Sequence, residues 1–290
     1  MKIKSIGLTS KDKIVGKIKD IKKIIKHLEE KKVEVRVDGN LAKELKMPAC
    51  TRNELMEDCQ VVIIFGGDGT ILKTAGTIGK HSVKILGINY GNLGFLTELM
   101  PEDLFKCLDD IIYERVKYDK RELLQVTHIR DNKKLNKYIA MNDAVINQGM
   151  FSRIIDLHID VNDAHVVAFK ADGMIIATPT GSTAHSLSAG GPIVHPAIES
   201  IILTPICSAT LSLRPIVIPN NQCVKITIGT ERSKDLNLGL TIDGQTTVPL
   251  QFNDVVKVEK SKKCVHMLRL GKTEYYSTLR NKLGWGKVCK

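Results

Sequence analysis

The sequence predicts two domains in series: an α/β domain on a doubly wound parallel sheet over residues 1–118, then a β-rich domain over 119–268, with 269–290 as a tail too short to be a domain. Three observations predict this. In the first part, short apolar runs alternate with stretches of helical periodicity. After residue 117 the texture becomes half-buried alternation broken by Asn, Asp and Lys turns. Between them in weight stands Val61-Val-Ile-Ile-Phe65, a continuous apolar run that ends in Gly66-Gly-Asp-Gly-Thr70. Such a run suits a parallel strand covered on both faces, and its glycines open a turn into a helix.

The elements follow in order. Residues 2–8 read as a first strand. Residues 11–31 read as an amphipathic helix, with Ile14, Ile18, Ile21, Ile25 and Leu28 on one face and lysines on the other. Val33–Val37 alternates strictly, as a strand should. Short helices near 40–46 and 51–58, separated by Pro48, lead to the buried strand at 60–65 and a helix start at Thr70–Ala75. A strand at Val83–Ile88 precedes a helix that Pro101 opens and that runs to about 113. The second part offers strands at 121–130, 137–140, 154–161 and 165–169, then at about 215–218, 223–229, 238–242 and 254–259. Between these groups Thr180, Ser182 and Thr183 are expected to cap a helix that Gly190-Gly191-Pro192 ends. The tail around Trp285 is expected to dock elsewhere on the protein.

Composition narrows the function classes. Of the 290 residues, 43% are hydrophobic and 26% charged, as in ordinary soluble globular proteins. No apolar run approaches the roughly 20 residues that cross a bilayer, and the start has no signal-peptide core, so a cytoplasmic protein without a membrane partner is expected. The seven cysteines are scattered and never form a Cys-x-x-Cys pair, which indicates neither a disulfide framework nor a zinc site. A net charge of +11 fits a phosphorylated small substrate better than nucleic acid, because the lysines cluster on a solvated helix face and the 4% of aromatics are not interleaved with them.

Chemistry concentrates in a few places. Gly66, Gly67 and Gly69 let backbone amides approach a ligand, with Asp68 among them, which outlines a phosphate site; a plain helix cap would look the same. Asn142-Asp143 sits before an apolar strand and by itself reads first as turn chemistry. Phe169–Ser186 concentrates hydroxyls, exposed amides and Asp172. Neither Gly-x-Gly-x-x-Gly after the first strand nor Gly-x-x-x-x-Gly-Lys-Ser/Thr is present, which removes most of the weight from a dehydrogenase or P-loop reading.

Taken together, Gly66-Gly-Asp-Gly-Thr70, Tyr90-Gly-Asn-Leu-Gly-Phe95, Asn142-Asp143, Asp172-Gly173, Thr178–Ala184, Ser186–Pro192 and Asp243-Gly-Gln245 resemble the NAD kinase family in order and spacing. The glycine loop alone is shared with lipid kinases and phosphofructokinases; the Thr-Pro-Thr-Gly-Ser-Thr-Ala segment narrows the resemblance. It implies an α/β domain, a β-rich, sandwich-like domain and a C-terminal tail that returns to the first. It implies transfer of the γ-phosphoryl group of ATP to the 2′-hydroxyl of the adenosine ribose of NAD, with Mg²⁺ or another divalent cation accompanying ATP and no direct protein ligand to the metal. Asp68 is then the general base. Gly66, Gly67, Gly69 and Thr70, with Lys73, line the phosphates, Gly69 on the dinucleotide side. Asn142, Asp143, Asp172, Thr183, Ala184, His185, Ser188 and Gln245 form the NAD site. A homo-oligomer, dimer or tetramer, is also implied.

The chain departs from the family pattern where Asn142-Asp143 replaces Asn-Glu, where His185 replaces the common Tyr, and where Ser208-Ala209 replaces Pro-His. The first two bear on dinucleotide affinity rather than reaction type. A lipid kinase would need an apolar acceptor channel where this chain has a hydroxyl-rich segment, and a non-catalytic NAD sensor would have no need of Asp68.

Overall fold

The computed structural model describes residues 2–11, 18–79, 81–91, 94–148, 154–210, 212–229, 238–270, 275–284 and 286. The first turns expected for the opening helix, Asn92-Leu93 and Trp285 lie outside these. The chain forms two compact units, one of residues 1–120 and 265–290, the other of residues 121–264.

The first unit is a parallel α/β sheet. Its elements are β1 (Ser5–Ser10), α1 (Ile18–Glu30), β2 (Glu34–Asp38), α2 (Gly39–Leu45), β3 (Ala49–Cys50), α3 (Arg52–Asp58), β4 (Val61–Phe65), α4 (Asp68–Ala75), β5 (Val83–Ile88) and α5 (Pro101–Ile112). The strand order runs β5-β4-β1-β2-β3, all parallel. The chain therefore winds one way from β1 and returns to wind the other way from β4. Ser10 pairs with Phe65, so the carboxyl ends of β1 and β4 lie side by side at the reversal, where open α/β sheets bind ligands. Ile21, Ile24, Ile25 and Leu28 of α1 and Leu104, Leu108, Ile111 and Ile112 of α5 bury the apolar stripe that the sequence spaces at helical intervals, against Val61, Ile63 and Phe65. Thr51 and Glu54 form a capping box that starts α3.

One buried polar cluster holds the ends of β1 and β2. Asp38 caps α2 through Leu41 N (3.3 Å), accepts from Arg52 Nε (3.1 Å) and takes the Thr9 hydroxyl, while Arg52 Nη2 donates to Ser10 O (2.7 Å). Asp38→Ala would leave the partly buried Arg52 cation without its carboxylate and α2 without its cap, and a loss of about 2–3 kcal/mol in a urea titration is expected. A loss under about 1 kcal/mol would mean that solvent already carries the pair.

Among the described residues the second unit is β apart from one short helical segment. After β6 (Lys117–Arg130), which carries the chain into it, come β7 (Lys133–Ala140), β8 (Asp143–Gln148), β9 (Ile155–Val161), β10 (Ala164–Ala171), β11 (Gly173–Ala177), a 3₁₀ turn at Gly181–Thr183, α6 (His185–Ser188), β12 (Ser200–Ile206), β13 (Ile216–Pro219), β14 (Val224–Ile228), β15 (Leu238–Ile242) and β16 (Thr246–Pro249). The strand β17 (Val255–Arg269) leads back to the first unit, where Val265–Met267 pairs with β5 in parallel and α7 (Tyr275–Leu283) follows. One antiparallel sheet has the order β13-β12-β11-β8-β15-β16. The other joins β10, β9, β14 and the first half of β17. Inward residues of the two sheets share one core that includes Ile146, Ile176, Ile201, Leu240, Ile159, Ile226 and Val256.

Two expectations are corrected. No strand was expected at Gly173–Ala177 or Ser200–Ile206, yet both form, and they lack alternation because both their faces are covered: Met174, Ile176, Ile201 and Leu203 face the shared core, Ile175, Ala177 and Ile202 a smaller one with Val194. Thr180, Ser182 and Thr183 do not cap a helix. The Ser182 and Thr183 hydroxyls donate back to Pro179 O (2.7 Å) and Thr180 O (3.4 Å), and Thr178 Oγ1 accepts from Gly181 N (3.0 Å), so Thr178 closes the turn instead.

Candidate functional site

The first unit places a carboxylate at the end of its central strand. Gly66 is required there, since a Cβ would lie 2.5 Å from Thr70 Oγ1. Gly67 caps α4 without a side-chain bond, so the first amides of α4 have no side-chain cap. Asp68 opens the helix, Gly69 and Lys73 are exposed, and Thr70 is half-buried. The Asp68 carboxylate does not cap its own helix. Its two oxygens accept the N–H of Phe95 (2.9 Å) and of Leu96 (3.2 Å), in the second glycine motif. Gly94 makes that seat possible, because a Cβ there would stand 2.0 Å from Asp68 Oδ1.

The second unit brings three motifs together. Asp243, with Gly244, sits in the turn between β15 and β16, both at positive φ as such a hairpin requires. Its buried carboxylate accepts the N–H groups of Met141 (2.8 Å), Asn142 (2.7 Å) and Asp143 (2.9 Å). From the other side Thr178 binds the same stretch, its Oγ1 donating to Met141 O (2.6 Å) and its N to Asn142 O (2.8 Å). Gly181 passes so close that a Cβ would be 2.2 Å from Asn142 O. These contacts frame a cavity of about 320 Å³ lined by Asn142, Asp143, Val145, Asn147, Ala184, His185, Thr241, Asp243 and Gly244.

Its electrostatics are set by two neighbouring carboxyls. Burial pushes Asp143 up to about 7, and the charge of Asp243 adds to the shift. Burial also raises Asp243, but its three amide donors oppose that. Asp143, whose carboxylate has no such amide donors among the described residues, is the more strongly raised of the two.

Of the residues singled out in the sequence, Asn142, Asp143, Ala184 and His185 meet at the cavity. Asp172 instead accepts from Gln148 Nε2 (3.2 Å), Thr183 bonds within its own turn, Ser188 is exposed at the end of α6, and Gln245 is exposed on the hairpin turn. Sequence reasoning passed over Val145, Asn147 and Thr241 as site residues, and treated Asp243 only as part of a motif. The signal was there: Asp143, Val145 and Asn147 are alternate residues of one strand, so a site residue at the first predicts two more on the same face.

A carboxylate fixed in a glycine turn at the reversal point of a doubly wound sheet, in a chain whose second unit carries a cavity of about 320 Å³ edged by Asn142, Asp143 and Asp243, fits a nucleotide-dependent phosphotransferase. Comparison with known proteins agrees. The models of the ATP-NAD kinase N-terminal and C-terminal domains match residues 11–116 and 141–270. The NAD kinase of Teredinibacter turnerae is 36% identical over 97% of this chain and 96% of its own length, and that of Trichlorobacter lovleyi 39% identical over 91% and 92%. The crystal structure of yeast NADH kinase complexed with NADH superposes with a TM-score of 0.90 at 25% identity, covering 100% of this chain and 89% of its own. The chain belongs to the NAD kinase family.

Proposed function

We propose that this chain transfers the γ-phosphoryl group of ATP to the 2′-hydroxyl of the adenosine ribose of NAD, with Asp68 as the base that receives the hydroxyl proton. The bond formed joins the ribose 2′-oxygen to phosphorus, the bond to the β-phosphate breaks, and ADP leaves. The observation that carries this reading is the fixed Asp68 carboxylate at the carboxyl end of β4, in a member of a family of NAD kinases. Phosphoryl transfer has a loose transition state, so alignment and charge neutralisation matter most, and a carboxylate that is well placed suffices as base.

The amides of Gly67 and Gly69, with Thr70 and Lys73, are assigned to the phosphates; the Gly66 N–H already donates to Ile88 O (2.8 Å), so Gly66 serves only by the close approach of its backbone. The divalent cation is assigned to the ATP phosphates on family resemblance. Asn142, Asp143, Ala184 and His185 are assigned to the nucleoside of NAD, on the support of the cavity they line; Asp172, Thr183, Ser188 and Gln245 are assigned to the same substrate on family resemblance. We assign a homo-oligomeric state and a cytoplasmic location on the same ground; among the described residues no helix is long and apolar enough to cross a membrane.

The direct test is incubation of the purified protein with NAD⁺, ATP and Mg²⁺, with NADP⁺ followed by an NADP-specific dehydrogenase. A flat trace from folded protein would remove the assignment. His185 offers a finer one. It is exposed beside the cavity, where a larger ring adds stacking surface. His185→Tyr should leave NAD⁺ binding unchanged or tighten it up to about tenfold, and His185→Ala should weaken it by a similar factor. Calorimetric titration reads both, and unchanged affinity in the alanine variant would place the ring away from the ligand.

A further inference from the structure

The short loop that receives Asp68 is held at its other end by groups that no motif contains. Glu98, two residues after Leu96, has a side chain only 2% exposed, and its carboxylate accepts from Arg269 Nη1 (2.7 Å) and Leu270 N (3.2 Å). Arg269 is the last residue of β17, and its Nε donates to Asp119 at 2.7 Å. The backbone is tied on the same side, by Glu98 N to Gly87 O (2.9 Å) and Asn89 N to Leu99 O (3.0 Å). Within the loop Gly94 N donates to Thr97 Oγ1 (2.5 Å). Residues 94–98 therefore form a strut tied at both ends. Its near end presents the Phe95 and Leu96 amides to Asp68, and its far end is a buried, charge-assisted carboxylate–guanidinium contact of the strong kind.

Resting on the reading of Asp68 as base, we infer that Glu98, clamped by Arg269, is a positioning residue that sets the orientation of the Asp68 carboxylate for phosphoryl transfer. Neither Glu98 nor Arg269 contacts Asp68. What they fix is where the two amides meet it, and through them the direction of the oxygen lone pairs left for the substrate hydroxyl. A displacement near 1 Å at a reacting group costs up to ~10²-fold in rate. The contact therefore matters to turnover far more than to binding.

The test is a double-mutant cycle. Glu98→Gln should lower kcat by ~10- to 100-fold while KM for NAD⁺ and for ATP stays within about twofold. Arg269→Lys, which keeps the charge but loses the fork, should fall by less than ~10-fold. In an Asp68→Asn background, Glu98→Gln should add less than about twofold, because the group it orients is already gone. A Glu98 that served only stability would lower the active fraction by the same factor in both backgrounds, and such multiplicative losses, or an unchanged kcat, would overturn the inference. Thermal unfolding accompanies each variant; if Glu98→Gln fails to fold, Arg269→Lys closes the same cycle. Wild-type protein that forms no NADP⁺ overturns the reading of Asp68 beneath the inference, whereas active wild type with multiplicative losses overturns the inference alone.

Discussion

Asp68→Asn should lower kcat by at least ~10²-fold, the low end of what a positioned base contributes, with little change in NAD⁺ affinity. Asp68 is the carboxylate inside the glycine turn, and the substitution removes its capacity to take the proton. The geometry adds a second consequence. The two Asp68 oxygens each accept one backbone N–H, from Phe95 and from Leu96. Asparagine keeps one acceptor oxygen and sets its NH₂ against the other amide, so a donor is left facing a donor, at a cost of about 1–3 kcal/mol. The variant should therefore be somewhat less stable as well as nearly inactive. Steady-state kinetics, calorimetric titration with NAD⁺ and thermal unfolding separate these effects. Turnover near that of the wild type would sink the assignment of Asp68.

Asp143→Asn is expected to act in opposite directions on stability and on binding. In the ligand-free chain the Asp143 carboxyl is pushed up to about 7 by burial and by Asp243, from 3.8 in an unfolded chain. A raised folded value means that the folded state holds the proton more tightly. The resulting stability is fully present below about pH 4, declines as pH rises, and is lost once pH passes about 7. At pH 8 the folded protein carries the full cost of a buried charge, which asparagine does not. The variant should thus unfold several degrees higher than wild type at pH 8 and show little advantage at pH 4, since each 1 kcal/mol is worth about 2–4 °C in a domain of this size class. Its NAD⁺ affinity should fall by roughly 10- to 150-fold, the range for losing a hydrogen bond to a charged group. Melting curves from pH 4 to 8, with titrations at pH 8, test both halves. Equal melting gains at all pH values would mean that burial does not raise the Asp143 carboxyl, and unchanged affinity would reduce Asn142-Asp143 to a turn.

Much of the molecule was legible before any coordinates. Val61–Phe65 is buried on both faces as its unbroken apolar run requires, and Pro101 opens α5 as its fixed φ allows. The spacing of Ile21, Ile25 and Leu28 located the buried stripe of α1. Period and punctuation are local properties, so they survive without knowledge of partners. The glycine loop, Asn142-Asp143 and the hydroxyl-rich segment were legible for the same reason, since each packs its chemistry into a few consecutive residues. Tertiary structure alone decided what those residues touch. Gly173–Ala177 and Ser200–Ile206 became central strands only because two cores cover them, and no alternation could announce that. Asp68 reaches 27 and 28 residues along the chain to Phe95 and Leu96, Asp243 reaches back 100 to 102 to Asp143, Asn142 and Met141, and Glu98 meets Arg269 at a separation of 171. Contacts of that range depend on which strands become neighbours and in what register, a property of the whole chain's packing that no short stretch of sequence contains.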